Sequence, residues 1–166
     1  MLELSNNTFN QSAPKSGPKL KVWRSAGLML TYRCSAACEF CYYRCSPSQA
    51  ADVMPLETAI RAWEGLKEIS GDSASIHITG GEPFLCFDEM VTILEEGRRR
   101  GLGPVDQIET NAFWACSRDK IIDVLRQLDS LGMCVLKISC DPFHQEFISI
   151  EKVRTLAAVA TEVLGS

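Results

Sequence analysis

Ser75-Ile76-His77-Ile78-Thr79-Gly80-Gly81-Glu82-Pro83 is the stretch on which the fold turns. The first five residues alternate apolar and polar side chains, the period-two pattern of a β-strand with one buried face. Two glycines break that pattern at once. Beyond Pro83, Met90, Val91 and Leu94 recur at helical spacing, so the segment reads as strand, tight turn, helix. The same unit repeats on both sides. Gly27–Thr31, Val105–Glu109 and Cys134–Ser139 are the other strand candidates. Leu56, Ala59, Ile60, Trp63, Leu66 and Ile69 form a helix face after the first, entered at Pro55 and left at Gly71. Ile121, Val124, Leu125, Leu128 and Leu131 form another, between an N-cap at Ser117 and Gly132. Val153, Leu156, Ala157, Ala160 and Val163 form the last, after Ser149.

Strand starts near 28, 76, 106 and 135 lie 48, 30 and 29 residues apart. About 30 residues is one βαβ repeat, and such alternation builds a parallel sheet. The expected fold is α/β, an incomplete (β/α) barrel of about four units with its helices outside. Residues 1–22, rich in Ser, Asn, Gln, Pro and Gly, read as a loose leader, and 23–166 as the partial core domain. The first interval is longest, and its extra length holds four cysteines at the C-terminal end of a strand, where α/β folds gather their functional loops.

Charge and composition narrow the function. With 17 Lys+Arg against 21 Asp+Glu the net charge is −4, unsuited to general binding of phosphate backbones or anionic lipid. No apolar run approaches the roughly 18–20 residues of a membrane span, and the start lacks a signal-peptide layout. A cytoplasmic chain is expected, with neither nucleic acid nor membrane as partner. The asparagine sequons at Asn6 and Asn10 then carry no meaning. Arg98, Arg99 and Arg100 fall at a helix C-terminus, where they complement the dipole.

Eight cysteines stand at 34, 38, 41, 45, 86, 116, 134 and 140. In a reducing compartment the clustered four are metal ligands rather than disulfides. Cys34-x3-Cys38-x2-Cys41 suits zinc or an iron–sulfur cluster. Three cysteines leave one iron of a four-iron cubane open to a ligand, and Phe40 is placed to cover it. A zinc site with Cys45 as fourth ligand, giving a stabilised binding module, is one rival. A closed cluster using Cys45, which only carries electrons, is the other. At the second strand end, Gly80 and Gly81 let backbone approach a ligand, and Glu82 can accept from an ammonium. Cys86, Cys116, Cys134 and Cys140 share no ligand spacing and read as small buried apolar groups. His77 points away from Ile76 and Ile78 as a polar strand filler, Trp63 is core, Trp114 is placed to line a pocket, and His144 is a candidate substrate contact.

These motifs together resemble the radical S-adenosylmethionine (radical SAM) enzymes. The resemblance rests on Cys34, Cys38, Phe40 and Cys41, on Gly80-Gly81-Glu82-Pro83, on Glu109-Thr110-Asn111 and on Ser139-Cys140-Asp141, at four successive strand ends over roughly residues 26–165. It implies that Cys34, Cys38 and Cys41 hold a [4Fe-4S] cluster and that SAM chelates the fourth iron. Gly80, Gly81 and Glu82 then meet the SAM amino group, with Pro83 shaping the turn. Phe40 or the backbone near Tyr42 lies against adenine, and Asn111 and Ser139 contact ribose or carboxylate. One electron passed to the sulfonium yields methionine and a 5′-deoxyadenosyl radical, which abstracts hydrogen from a small-molecule or peptide substrate. A flavodoxin or ferredoxin is the implied electron donor. The family core carries more strand–helix units than the four counted, so the chain reads as a fragment, a truncated product or one needing a partner.

Overall fold

A computed structural model describes residues 23–165. The proposed leader, 1–22, lies outside them. Four strands, β1 (Ser25–Met29), β2 (Ser75–Thr79), β3 (Val105–Thr110) and β4 (Leu136–Ile138), form one parallel sheet in the order β1-β2-β3-β4. Helices α1 (Leu56–Ser70), α2 (Phe87–Arg99) and α3 (Arg118–Ser130) connect them. A short α4 (Pro142–Gln145) and then α5 (Ile150–Leu164) follow β4. The result is the α/β half-barrel expected from the repeat.

Register explains how one sequence pattern makes two faces. Ala26 pairs with Ile76 and Leu28 with Ile78; Leu28, Ile76 and Ile78 are buried under the helices and Ala26 is partly buried against them. Trp63 of α1, Met90 and Leu94 of α2, and Ile121 and Leu125 of α3 complete that core. Gly27 pairs with His77 and His77 with Gln107, so the alternate row carries the opposite, polar face. Glu109 lies on that face, bonded to Thr79, Gln107 and Lys137. His77 is the polar filler its alternation suggests, with its ring over Gly27.

Helix boundaries follow their caps. Gly71 ends α1 at φ 59°, while the Ser117 and Ser149 hydroxyls accept from Lys120 N–H and Glu151 N–H to open α3 and α5. The basic triplet is structural: Arg99 and Arg100 pair with Glu96, Arg100 also with Glu64, and Arg98 donates to the Ser130 carbonyl.

Strand ends depart from the pattern. β1 starts two residues early because Ser75 N–H donates to the Arg24 carbonyl, and it stops at Met29 because Thr31 turns to receive Gly81. β4 spans three residues rather than the six of Cys134–Ser139. Among the described residues it pairs only with β3, and Cys134 and Ser139 make single bonds beyond its two ends. That exposed position corrects the reading of the isolated cysteines. Cys86 is buried, but Cys134 and Cys140, which flank β4, and Cys116, in the loop before α3, are exposed. Trp114 is also core: it stacks on Phe84 at 4.6 Å and donates through Nε1 to Thr110 Oγ1.

Gly97 in α2 tests this packing. A Cβ there would lie 2.2 Å from Cζ3 of Trp63, whose ring is fully buried. Helix propensity favours alanine by about 1 kcal/mol, whereas overpacking against a fixed ring costs about 1–3 kcal/mol. Gly97→Ala is therefore expected to lower stability in urea unfolding; a gain would show that Trp63 has room to move.

Candidate functional site

All the motif residues come from the C-terminal ends of the strands. The loop after β1 is closed by pairing of Arg33 with Ser46, reinforced by Cys34 N–H to the Ser46 carbonyl at 3.1 Å. Within it, Cys41 N–H donates to the Cys38 carbonyl and Arg44 N–H to the Cys41 carbonyl. Arg44 takes φ 53°, a conformation costly for a side chain, and so folds Cys45 back beneath Cys41. Cys45 N–H reaches Cys41 Sγ at 3.3 Å, and Ala36 N–H reaches Cys34 Sγ at 3.4 Å. Burial pushes the Cys34 and Cys38 thiols up, and pushes Cys45 up to about 12 with help from Cys41.

The turn after β2 packs directly on this loop. Gly81 N–H donates to the Thr31 carbonyl at 2.7 Å and Glu82 N–H to Arg33 at 3.0 Å; a Cβ on Gly81 would sit 2.2 Å from the Arg33 oxygen. Glycine is needed here for close approach of two backbones. Glu82 turns inward and is fully buried. Its carboxylate accepts from Thr110 Oγ1 at 2.9 Å, Asn111 N–H at 2.7 Å and Phe84 N–H at 3.3 Å.

At the end of β3, Ala112 takes φ 68° and Asn111 swings towards the cysteine loop. After β4, Asp141 caps α4 through Phe143 N–H and His144 N–H, and its Oδ2 lies 2.6 Å from His144 Nδ1. This helix was legible in Asp141-Pro142, a cap followed by proline at the first helical position.

A cavity of about 270 Å³ lies between these segments. Cys34, Cys38, Cys41, Phe40, Tyr42, Gly80, Gly81, Glu82, Pro83, Asn111 and Ser139 all line it. Tyr43, Cys45, Glu109, Asp141, Phe143 and His144 join them, and Trp114 does not. Phe40, 71% exposed, meets Phe143 edge-on at 4.8 Å to form one wall; Tyr42, 90% exposed, meets Tyr43 likewise. Among the described residues, no three of His, Cys, Asp and Glu converge on a point one metal ion could occupy. Cys34, Cys38, Cys41 and Cys45 put four thiols on this cavity, a soft donor set of the kind that holds an iron–sulfur cluster or zinc.

A parallel half-barrel with three cysteines on its first strand-end loop and a Gly-Gly-Glu-Pro turn beside them is the arrangement of a radical SAM core. The Radical SAM superfamily model matches residues 28–159, and the chain belongs to that superfamily, whose members use a [4Fe-4S] cluster and S-adenosylmethionine. The chain is similar to YydG of Bacillus subtilis (strain 168), named as a peptide biosynthesis protein, at 24% identity over 142 residues. That match covers 80% of this chain and 40% of YydG. Its fold is similar to that of HydG, a maturase of the [FeFe]-hydrogenase, with a TM-score of 0.54 at 17% identity. There the match covers 81% of this chain and 32% of HydG. The chain thus spans less than half the length of either protein.

Glu82 gives the site a pH signature. Burial lifts its carboxyl from 4.5 to about 7, outweighing the bonds from Asn111, Thr110 and Phe84 that favour the charged form. With its pKa raised on folding, the folded chain holds the extra proton between pH 4.5 and 7. Stability from this group is then full below about 4.5 and falls as pH rises to about 7, by on the order of 3 kcal/mol. Urea unfolding across that window should therefore move in favour of Glu82→Gln relative to wild type. Parallel curves for the two proteins would mean Glu82 does not titrate there.

Proposed function

We propose that Cys34, Cys38 and Cys41 hold a [4Fe-4S] cluster and that the adjoining cavity receives SAM. Residues 23–166 then act as a partial radical SAM core. The observation that supports this most is that all eleven motif residues, drawn from four separate strand ends, line one cavity. Bound together, cluster and SAM supply one-electron cleavage of the sulfonium to methionine and a 5′-deoxyadenosyl radical for hydrogen abstraction.

The chain's own residues position and shield. Glu82 accepts from three protein donors and so shapes the turn, and Gly80 and Gly81 would meet the SAM amino group where they line the cavity. Pro83 fixes the departure into the 3-10 turn that follows. Phe40 and Tyr42 offer aromatic surface to adenine, and Ser139 offers a hydroxyl to ribose or carboxylate. Asp141 and His144 face the cavity from the β4 side, where a substrate approaches. The similarity to YydG favours a peptide as that substrate. A flavodoxin or ferredoxin supplies the electron, and the setting is cytoplasmic; no helix among the described residues is long and apolar enough to cross a membrane.

Anaerobic reconstitution with iron and sulfide, reduction, and EPR with and without SAM test the reading. A [4Fe-4S]⁺ signal that changes shape on adding SAM is expected. Cys34→Ala should abolish the cluster, and Cys45→Ala should retain both cluster and SAM response. A wild-type signal indifferent to SAM that becomes responsive in Cys45→Ala would establish the electron carrier instead.

A further inference from the structure

Among the described residues, Asn111 is the only polar side chain from outside the cysteine loop that is seen bonding a cysteine proposed as a cluster ligand. Its Nδ2 lies 3.6 Å from Cys34 Sγ and 3.0 Å from Ser35 Oγ. Its Oδ1 accepts from Phe113 N–H at 3.0 Å and from Ser35 Oγ at 3.4 Å. The backbone donor fixes which way the amide faces. Phe113 N–H can only be met by the oxygen, so the nitrogen must face the sulfur.

The residue is built into this pose. It is 4% exposed, and its own N–H is anchored on Glu82 Oε2 at 2.7 Å. The left-handed Ala112 that follows brings Phe113 N–H back under the side chain. Thr110, one residue before, is held by Trp114 Nε1 and by Glu82. Nothing in this arrangement leaves the amide free to turn towards a ribose.

We infer that Asn111 is a positioning residue for the cluster, donating an N–H···S bond to Cys34 that raises the cluster's reduction potential. The inference rests on the proposal that Cys34 is a cluster ligand. Reduction adds one negative charge, part of which resides on the thiolate sulfurs. A donor aimed at one sulfur stabilises the reduced form more than the oxidised form, so it eases delivery of the electron. The Ala36 N–H on the same sulfur acts alike, but it is backbone and cannot be tuned by substitution. Asn111 can.

The measurement is an EPR-monitored redox titration of the reconstituted full chain without SAM, for wild type, Asn111→Ala and Asn111→Asp. Alanine removes the donor. Aspartate keeps the shape and the oxygen that receives Phe113 N–H, but puts negative charge beside the sulfur. At a fixed poise, the ratio of reduced to oxidised cluster should fall about tenfold in Asn111→Ala, equivalent to ~59 mV for one electron, and further in Asn111→Asp. A merely structural role would lower thermal stability in both variants and leave the two potentials together. Loaded variants that keep the wild-type potential would overturn the inference. Should neither variant load, pulsed EPR on reduced wild type carrying 15N in asparagine side chains decides. A 15N coupling is expected, and its absence overturns the inference. A wild type that takes up no cluster sinks the ligand assignment itself, and the inference with it; a loaded wild type with unmoved variants sinks the inference alone.

Discussion

A single buried carboxylate ties the functional end of the sheet together. Glu82 lies under the turn after β2 and accepts two bonds from the end of β3, through Thr110 Oγ1 and Asn111 N–H. Its own backbone N–H donates to Arg33, at the entrance of the cysteine loop. Three strand ends therefore meet at one residue. A carboxylate without solvent is costly, and three donors offset that cost only in part, which is why the proton is held more tightly than usual. Energy is stored at the place where geometry must be kept.

From that residue the order runs outward. Thr110 fixes Trp114, Trp114 stacks on Phe84, and Phe84 begins the passage into α2, so the rim of the cavity is continuous with the core. Asn111 reaches the other way, into the loop that carries Cys34. The polar face of the sheet, with Glu109 bridging Thr79 and Lys137, runs down from the same rim. One wall of the site is thus rigid and made of strand ends. The other, made of Phe40, Tyr42 and Phe143, is exposed, with Phe40 and Phe143 meeting edge-on.

The spacing of apolar runs was enough to read the parallel sheet and its helices, because Ile76 and Ile78, and Leu125 with Leu128, repeat at periods that only one kind of element satisfies. The motif residues were legible because each follows a strand directly. Boundaries were not. β4 spans three residues at an edge of the described sheet, and its flanking cysteines are exposed; both facts depend on sheet order, which no local pattern encodes. Trp114 could not be placed from its neighbours, since its partners Phe84 and Thr110 belong to other elements or need the turn at Ala112. The direction of Glu82 was hidden likewise: its donors Thr110 and Asn111 lie 28 and 29 residues away.

The closing pair at Arg33 and Ser46 has a bearing on how metal enters. Because backbone bonds already join the two ends of the cysteine loop, the entropy of closing it is met by the folding of the domain rather than by iron. A zinc finger is the opposite case, where metal and chain order each other. Under the proposed ligand assignment, iron would meet a loop whose two ends the strand-end backbone already holds together.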